Sequence, residues 1–278
     1  MGFPDRSAVA GGIERGLSAG SDPLSPVTCT IIVIPCYNEA QRFPLERFTA
    51  FADAHPELRF LLVNDGSKDD TLAVLERASQ GRETRVGVLD QPKNGGKGEA
   101  VRQGILHAID AGAGVVGFWD ADFATPLEAI PEFLEVMAER DDLAMIFGAR
   151  VKLLGRQIER RPLRHYLGRV FATVVSNVLR LPIYDTQCGA KIFRVTGPAT
   201  RTLFADPFLS RWVFDVEIIA RFIQSCGYDR EKVKAGIYEF SLREWRDIAG
   251  SKVRPRDFLR ALLDIWRIAR AYRQSGRS

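Results

Sequence analysis

The chain reads as an α/β protein with a mostly parallel sheet flanked by helices on both faces. Short apolar runs alternate with longer helical patterns from about residue 28 to residue 150. The apolar runs are nearly continuous, as strands buried on both faces must be, rather than polar at every second position. Several stop abruptly in polar, carboxylate-bearing motifs, and open α/β sheets hold their ligands at the carboxyl ends of the strands.

The elements follow in order. Residues 30–35 form a β-branched strand and 44–54 a helix. Residues 59–64 form the second strand, and a helix is expected over 68–79. A strand at 85–89 leads to a helix at 98–111, and a strand at 115–119 to a helix at 126–138, followed by a strand at 143–148. After Arg150 the strict alternation fails. Residues 151–162 read as a polar, Arg-rich loop, followed by a helix at 163–179 and a strand at 190–194. A helix near 215–225, a strand near 237–242 and a final helix over 256–272 complete the chain.

Composition narrows the function. The 278 residues are 46% hydrophobic and 27% charged, an ordinary globular balance, and the net charge of +4 is too small to imply nucleic acid. The four cysteines, Cys29, Cys36, Cys188 and Cys226, show no CxxC spacing, so neither a disulfide framework nor a zinc site is expected and a reducing compartment is. Residues 1–26 are rich in Gly, Ser, Ala and Pro without the apolar core of a signal peptide and read as disordered. The longest uncharged stretch near the middle, 170–179, is about half the roughly 18–20 residues a spanning helix needs. The expected location is cytoplasmic, or peripheral on the cytoplasmic face of a membrane. One domain is expected over 27–254, with a nucleotide-binding half at 27–150 and an acceptor half at 151–254, followed by a basic amphipathic helix within 255–278.

The stretch FWDADFATP carries the chemistry. Asp120 and Asp122 follow an apolar run and, if the chain is still extended, share one side of it. Two adjacent carboxylates repel unless a cation lies between them, and a hard divalent ion carrying phosphate oxygens is the natural guest. An acidic turn gives the same spacing, and the flanking motifs decide against it. The first strand ends in PCYNE (Pro35, Tyr37 and Glu39 among them) and the second in NDGSKDDT. Gly66 and Ser67 suit a turn and a helix cap, whereas Asp65 at a buried strand end needs a partner. KNGGKGEA, with Lys97, precedes a helix without the spacing of a Walker A loop; it suits either a phosphate or a plain turn.

In this order these motifs resemble glycosyltransferase family 2, the nucleotide-sugar enzymes of GT-A fold. DTQCGAKIFR (185–194), RWVFDVEII (211–219) and EWRDIAGSKV (244–253) are similar to its dolichyl-phosphate β-glucosyltransferase branch. The resemblance implies that Pro35, Tyr37, Glu39 and Asp65 hold the nucleotide of UDP-glucose and that Lys97 lies near its phosphates. It implies Mg²⁺ or Mn²⁺ on Asp120 and Asp122, with Ala124 where mannose synthases carry a glutamine ligand. It places Arg150 and Arg164 where a polyprenyl phosphate is gripped, and Gln187 and Lys191 near sugar or phosphate.

An ionised lipid phosphate needs no general base, whereas a hydroxyl acceptor does. Asp215 and Glu217 are the candidates for that base, and a helix cap with a first-turn glutamate is their plainer reading. The last helix carries Phe258, Leu262, Ile265, Ala269 and Tyr272 near a 3.6-residue period, with arginines largely off that stripe. Such a helix lies on an anionic membrane or packs on the domain. Three functions stay open: transfer to a lipid phosphate, transfer to a hydroxyl, and non-catalytic nucleotide-sugar binding.

Overall fold

A computed structural model describes residues 29–159, 162–247 and 255–273. Its first half alternates regularly: β1 (Thr30–Cys36), α1 (Leu45–Ala54), β2 (Leu58–Asp65), α2 (Thr71–Ser79), β3 (Val86–Gln91), α3 (Lys97–Asp110), β4 (Val115–Trp119), α4 (Ala129–Glu139) and β5 (Met145–Ala149). The second half is less regular: β6 (Gln157–Glu159), α5 (Pro162–Leu179), β7 (Ala190–Arg194), α6 (Pro198–Ala205), α7 (Phe214–Ser225), α8 (Arg230–Gly236), β8 (Ile237–Ser241), β9 (Glu244–Arg246) and α9 (Pro255–Ala271).

Among the described residues seven strands form one sheet in the order β3-β2-β1-β4-β7-β5-β8. All neighbouring pairs are parallel except those of β7, which runs antiparallel to both β4 and β5. The apolar strand runs have a simple cause in β1. Ile32 and Ile34 pack into the core on one face of the sheet, and Ile31 and Val33 into the core on the other. A period of two with both faces buried leaves no polar position. Both halves of the chain share this sheet, because β7 and β8 complete it from the second half.

Three features depart from the expected elements. Residues 157–159, expected in a loop, pair in parallel with β9, with Ile158 and Trp245 buried at the junction. Helices α6 and α8 were not expected, being too short for their periodicity to register. Helix α2 starts at Thr71 because the residues before it hold a loop instead. Ser67 Oγ accepts the Asn38 N–H at 3.0 Å, and Asp69 accepts N–H groups of Ala40 and Thr71. The first two strand-end motifs are thereby tied together. Residues 1–26 lie outside the described residues. Among the described residues no helix is long and apolar enough to cross a membrane.

Candidate active site

Asp120 emerges from β4 beside Gly189, just before β7, and its N–H donates to the Gly189 carbonyl at 2.9 Å. A Cβ at Gly189 would fall inside the Asp120 carboxylate, so only glycine leaves room for it. The Trp119 indole is fully buried and donates to the Thr125 carbonyl at 2.9 Å, folding residues 120–125 back over the strand end. Asp122 accepts the Ala124 N–H at 3.0 Å, and Phe123 between them takes φ +49°. Burial, then the charge of Asp120, raises the Asp122 pKa above the ordinary carboxylate value.

Lys97, in the first turn of α3, forms an ion pair with Asp120. Its ammonium also lies 5.9 Å from the Phe118 ring centroid and 6.0 Å from that of Phe214. Burial opposes the Lys97 charge, yet Asp120 and Asp215 outweigh it and hold the pKa above the usual lysine value. The two carboxylates are a hard-oxygen donor pair whose mutual repulsion a divalent cation would relieve, so the residues fit Mg²⁺ or Mn²⁺. Among the described residues no group of three or more His, Cys, Asp or Glu converges as a metal cage. Substrate oxygens would have to complete the coordination.

Asp65 is buried and takes the N–H groups of Gly95 at 2.6 Å and Gly96 at 2.9 Å, with the Asn94 side-chain amide at 3.0 Å. Burial raises its pKa and these backbone donors work against the rise. Asp65 thus fixes the glycine loop that delivers Lys97. Arg211 closes the same loop from outside, donating to the Gly95 carbonyl at 2.9 Å. Arg211 opens the RWVFDVEII motif, but the sequence gives it no role, because its partner lies 116 residues earlier. At the end of β1, the Glu39 N–H donates to Thr71 Oγ1 at 2.8 Å and its carboxylate accepts from Arg42 Nε at 2.9 Å. Pro35 and Tyr37 flank Cys36 there, both partly buried.

Arg150 is held by both carboxylate oxygens of Asp185, at 2.6 and 2.8 Å, and lies over the Trp245 ring at 5.2 Å. Burial opposes its charge, but Asp185 more than compensates and raises the pKa. Asp185 is itself fixed, its N–H donating to Glu239 at 2.9 Å. The Gln187 N–H donates to Asp185 at 3.2 Å, while its side-chain Nε2 is buried without a protein partner. Arg164 belongs to α5, and its side chain lies outside the described residues.

Lys191 and Asp215 are buried, as Asp65 is. They pair at 2.5 Å, 2% and 6% exposed at their side chains. Lys191 also donates to the carbonyls of Thr186 at 3.0 Å and Cys188 at 2.6 Å, so it is an internal cation with its donors committed. Asp215 faces Lys191 on one side and feels Lys97 on the other, so charges alternate from Asp120 through Lys97 and Asp215 to Lys191 in the core. Glu217 is fully buried and accepts from Leu209 N–H, Arg221 and the Tyr272 hydroxyl. Asp215 is not the helix cap, which is Val213, whereas Glu217 lies in the first turn as expected.

A mostly parallel sheet with a D-x-D pair at the end of its fourth strand, faced by a lysine on a glycine loop, defines a GT-A glycosyltransferase. Residues 31–197 match the model of glycosyl transferase family 2. A dolichyl-phosphate beta-glucosyltransferase of Trichomonas vaginalis is 32% identical over 256 residues, covering 88% of this chain and 72% of that protein. Its counterpart in Drosophila melanogaster is 34% identical, covering 88% and 79%. The chain belongs to glycosyltransferase family 2. Among solved structures, glucosyl-3-phosphoglycerate synthase of Mycobacterium tuberculosis shares the fold, with a TM-score of 0.62 at 13% identity over 91% of this chain and 83% of that one. The same enzyme with Mn²⁺, UDP-glucose and phosphoglyceric acid gives a TM-score of 0.59 at 15% identity, over 87% and 80%.

Proposed function

We propose that this enzyme moves a glucosyl group from UDP-glucose to a polyprenyl (dolichyl) monophosphate at the cytoplasmic face of a membrane, with inversion. One observation carries the choice of acceptor. Asp215 and Glu217, the acidic groups that a hydroxyl acceptor would recruit as base, are buried and committed, Asp215 to Lys191 and Glu217 to Arg221 and Tyr272. A lipid phosphate is already ionised and needs positive groups instead. Arg150, held in place by Asp185, is such a group. The names of the curated relatives support the same donor sugar and acceptor.

Asp120 and Asp122 would hold Mg²⁺ or Mn²⁺ on the donor diphosphate, and the ion would supply charge neutralisation of the leaving group. Lys97 adds a fixed positive charge on that side. Asp65 and Arg211 keep the glycine loop closed, which fixes Lys97 relative to the acidic pair. Arg150 holds the acceptor phosphate near a second anion, and the Asp185 clamp keeps its guanidinium oriented without rotamer search.

Helix α9 supports the membrane reading. Ile265 and Ile268 pack it against α5 and α7, and Asp264 accepts from Ser210 Oγ at 2.8 Å. Its outer side exposes Leu263 and Trp266 together with Arg260, Arg267 and Arg270. Apolar and indole side chains interleaved with arginines suit an anionic lipid interface. The expected apolar stripe, with Leu262, Ile265 and Tyr272, packs on the domain, and the opposite side is the one proposed to meet lipid.

The test is UDP release from UDP-glucose with Mg²⁺ or Mn²⁺, with and without a short polyprenyl phosphate. Release that requires the lipid phosphate and is lost in Asp122→Ala is the expected result. Metal-dependent donor binding without lipid-stimulated release rejects the acceptor. Asp215→Asn should lower stability yet leave the acid limb of the pH–rate profile in place; loss of that limb would assign Asp215 as a base.

A further inference from the structure

A second basic site lies away from the donor motifs. A cavity of about 380 Å³ opens where the C-terminal ends of α5, α7 and α9 meet the start of α8. Ile223 of its wall is eight residues along α7 from Asp215, about 12 Å at 1.5 Å per residue. Arg180, Arg230 and Arg273 line it, with Tyr228, Tyr272 and aliphatic side chains between them, and among the described residues no carboxylate is in the lining.

Among the described residues none of these three arginines forms an ion pair, although carboxylates are close in sequence. Asp229 caps α8, accepting the N–H groups of Glu231 at 3.0 Å and Lys232 at 3.2 Å, and Glu231 pairs with Lys234. The three arginines are exposed around one concavity, an arrangement that gains from an anion shared between them. The wall is firmly built. The Tyr272 hydroxyl donates to Glu217 at 2.8 Å and accepts from Arg221 at 3.0 Å, and the Tyr228 hydroxyl donates to the Tyr272 carbonyl at 3.3 Å.

The backbone fixes two residues of the wall. Four described non-glycine residues have positive φ: Asn38, Phe123, Arg180 and Tyr228. The first two sit in the donor-site motifs, and the other two line this cavity. Both belong to helix C-caps, the Leu181 N–H closing α5 on the Ser176 carbonyl at 3.1 Å and the Tyr228 N–H closing α7 on the Ile223 carbonyl at 3.0 Å, so the backbone holds Arg180 and Tyr228 at the cavity wall.

We propose that this cavity binds a phosphomonoester group, in a site separate from the donor and acceptor sites. The guanidiniums match phosphate oxygens in bidentate geometry, and the tyrosines and Ile223 cover the carbon that bears the phosphate. Its position at the C-terminal end of α9 lets an interfacial helix deliver the site to a lipid headgroup. A soluble phosphomonoester carries the same chemistry. The proposal does not depend on the sugar donor or the acceptor assigned above.

The experiment compares the full chain with Arg180→Ala/Arg230→Ala/Arg273→Ala. Binding is measured to phosphatidylcholine vesicles containing one-fifth phosphatidic acid, to vesicles with one-fifth phosphatidylglycerol, and to glycerol 3-phosphate in solution by calorimetry. UDP binding and the melting temperature serve as controls for the active site and the fold. The expected result is binding to phosphatidic acid that exceeds that to phosphatidylglycerol and falls about tenfold or more in the variant, with UDP binding unchanged. Glycerol 3-phosphate binding lost in the variant also upholds the site and assigns it a soluble ligand. Equal binding of both anionic vesicles, reduced equally in the variant, shows only a basic surface and overturns the proposal. Binding unaltered by the triple substitution, or absent for every phosphomonoester, overturns it as well. Should the triple variant melt early, Arg230→Ala alone, at an exposed side chain, gives the same readings.

Discussion

Gly189→Ala puts the geometry of the acidic pair to a quantitative test. The added Cβ would lie 1.9 Å from an Asp120 carboxylate oxygen, where ordinary contact begins at 3.4 Å. The backbone cannot swing away cheaply, because Gly189 is hydrogen-bonded to the Asp120 N–H and leads directly into β7 between β4 and β5. The carboxylate must therefore move by about 1.5 Å, taking with it the oxygens proposed to hold the metal. Misplacement of a reacting group by about 1 Å costs on the order of 100-fold in rate, or about 2.7 kcal/mol in the barrier. Gly189 does not have positive φ, so backbone strain adds nothing to the expected effect. The assay is a double-mutant cycle of Gly189→Ala with Asp120→Ala, following metal-dependent UDP-glucose turnover and Mn²⁺ affinity in the presence of UDP. Gly189→Ala should approach the Asp120→Ala phenotype, and the double variant should be little worse than either. Near-wild-type Mn²⁺ affinity and turnover in Gly189→Ala would refute the role given to this contact.

Three further outcomes follow from the charge arrangement. Lys191→Met removes one partner of a buried pair and should cost about 3–5 kcal/mol in urea unfolding; a loss below about 1 kcal/mol would mean Asp215 is satisfied without it. Asp185→Asn releases Arg150 from its bidentate clamp and should raise the KM for the lipid phosphate while leaving UDP-glucose affinity unchanged; equal effects on both substrates would contradict the placement of Arg150 on the acceptor side. The raised pKa of Lys97 makes its ion pairing fully stabilising below the unfolded lysine value and lost only as pH rises through the higher folded value. Wild type should therefore melt above Lys97→Met from neutrality to beyond about pH 10, with the gap closing only at higher pH. A gap that closes near neutrality would show that Lys97 is not paired with Asp120 and Asp215.

The regular part of this protein was legible because its constraints are local. Continuous β-branched runs such as TIIVIP fit only a strand buried on both faces, and β1 begins at Thr30 as expected. The strand-end positions of Asp65 and Asp120 follow from the same pattern, because each run stops where its polar motif begins. The short elements were not legible. Strand β6 is three residues long and exists because Ile158 and Trp245 bury against the sheet, a contact spanning almost ninety positions.

Sequence alone determined the fold class, the family and the inventory of charges at the sheet edge, since these depend on residue type and order. Only the tertiary structure decided which charges face one another. Lys191 and Asp215 lie far apart in sequence, yet the antiparallel entry of β7 beside β4 sets Phe118 opposite Lys191 and turns a candidate sugar contact into an internal cation. The same strand brings Gly189 against Asp120. Arg211 reaches back across more than a hundred residues to the glycine loop. In each case the deciding quantity is a distance across the sheet or between layers. Spacing along a chain cannot encode that distance, because it is set by how the core packs.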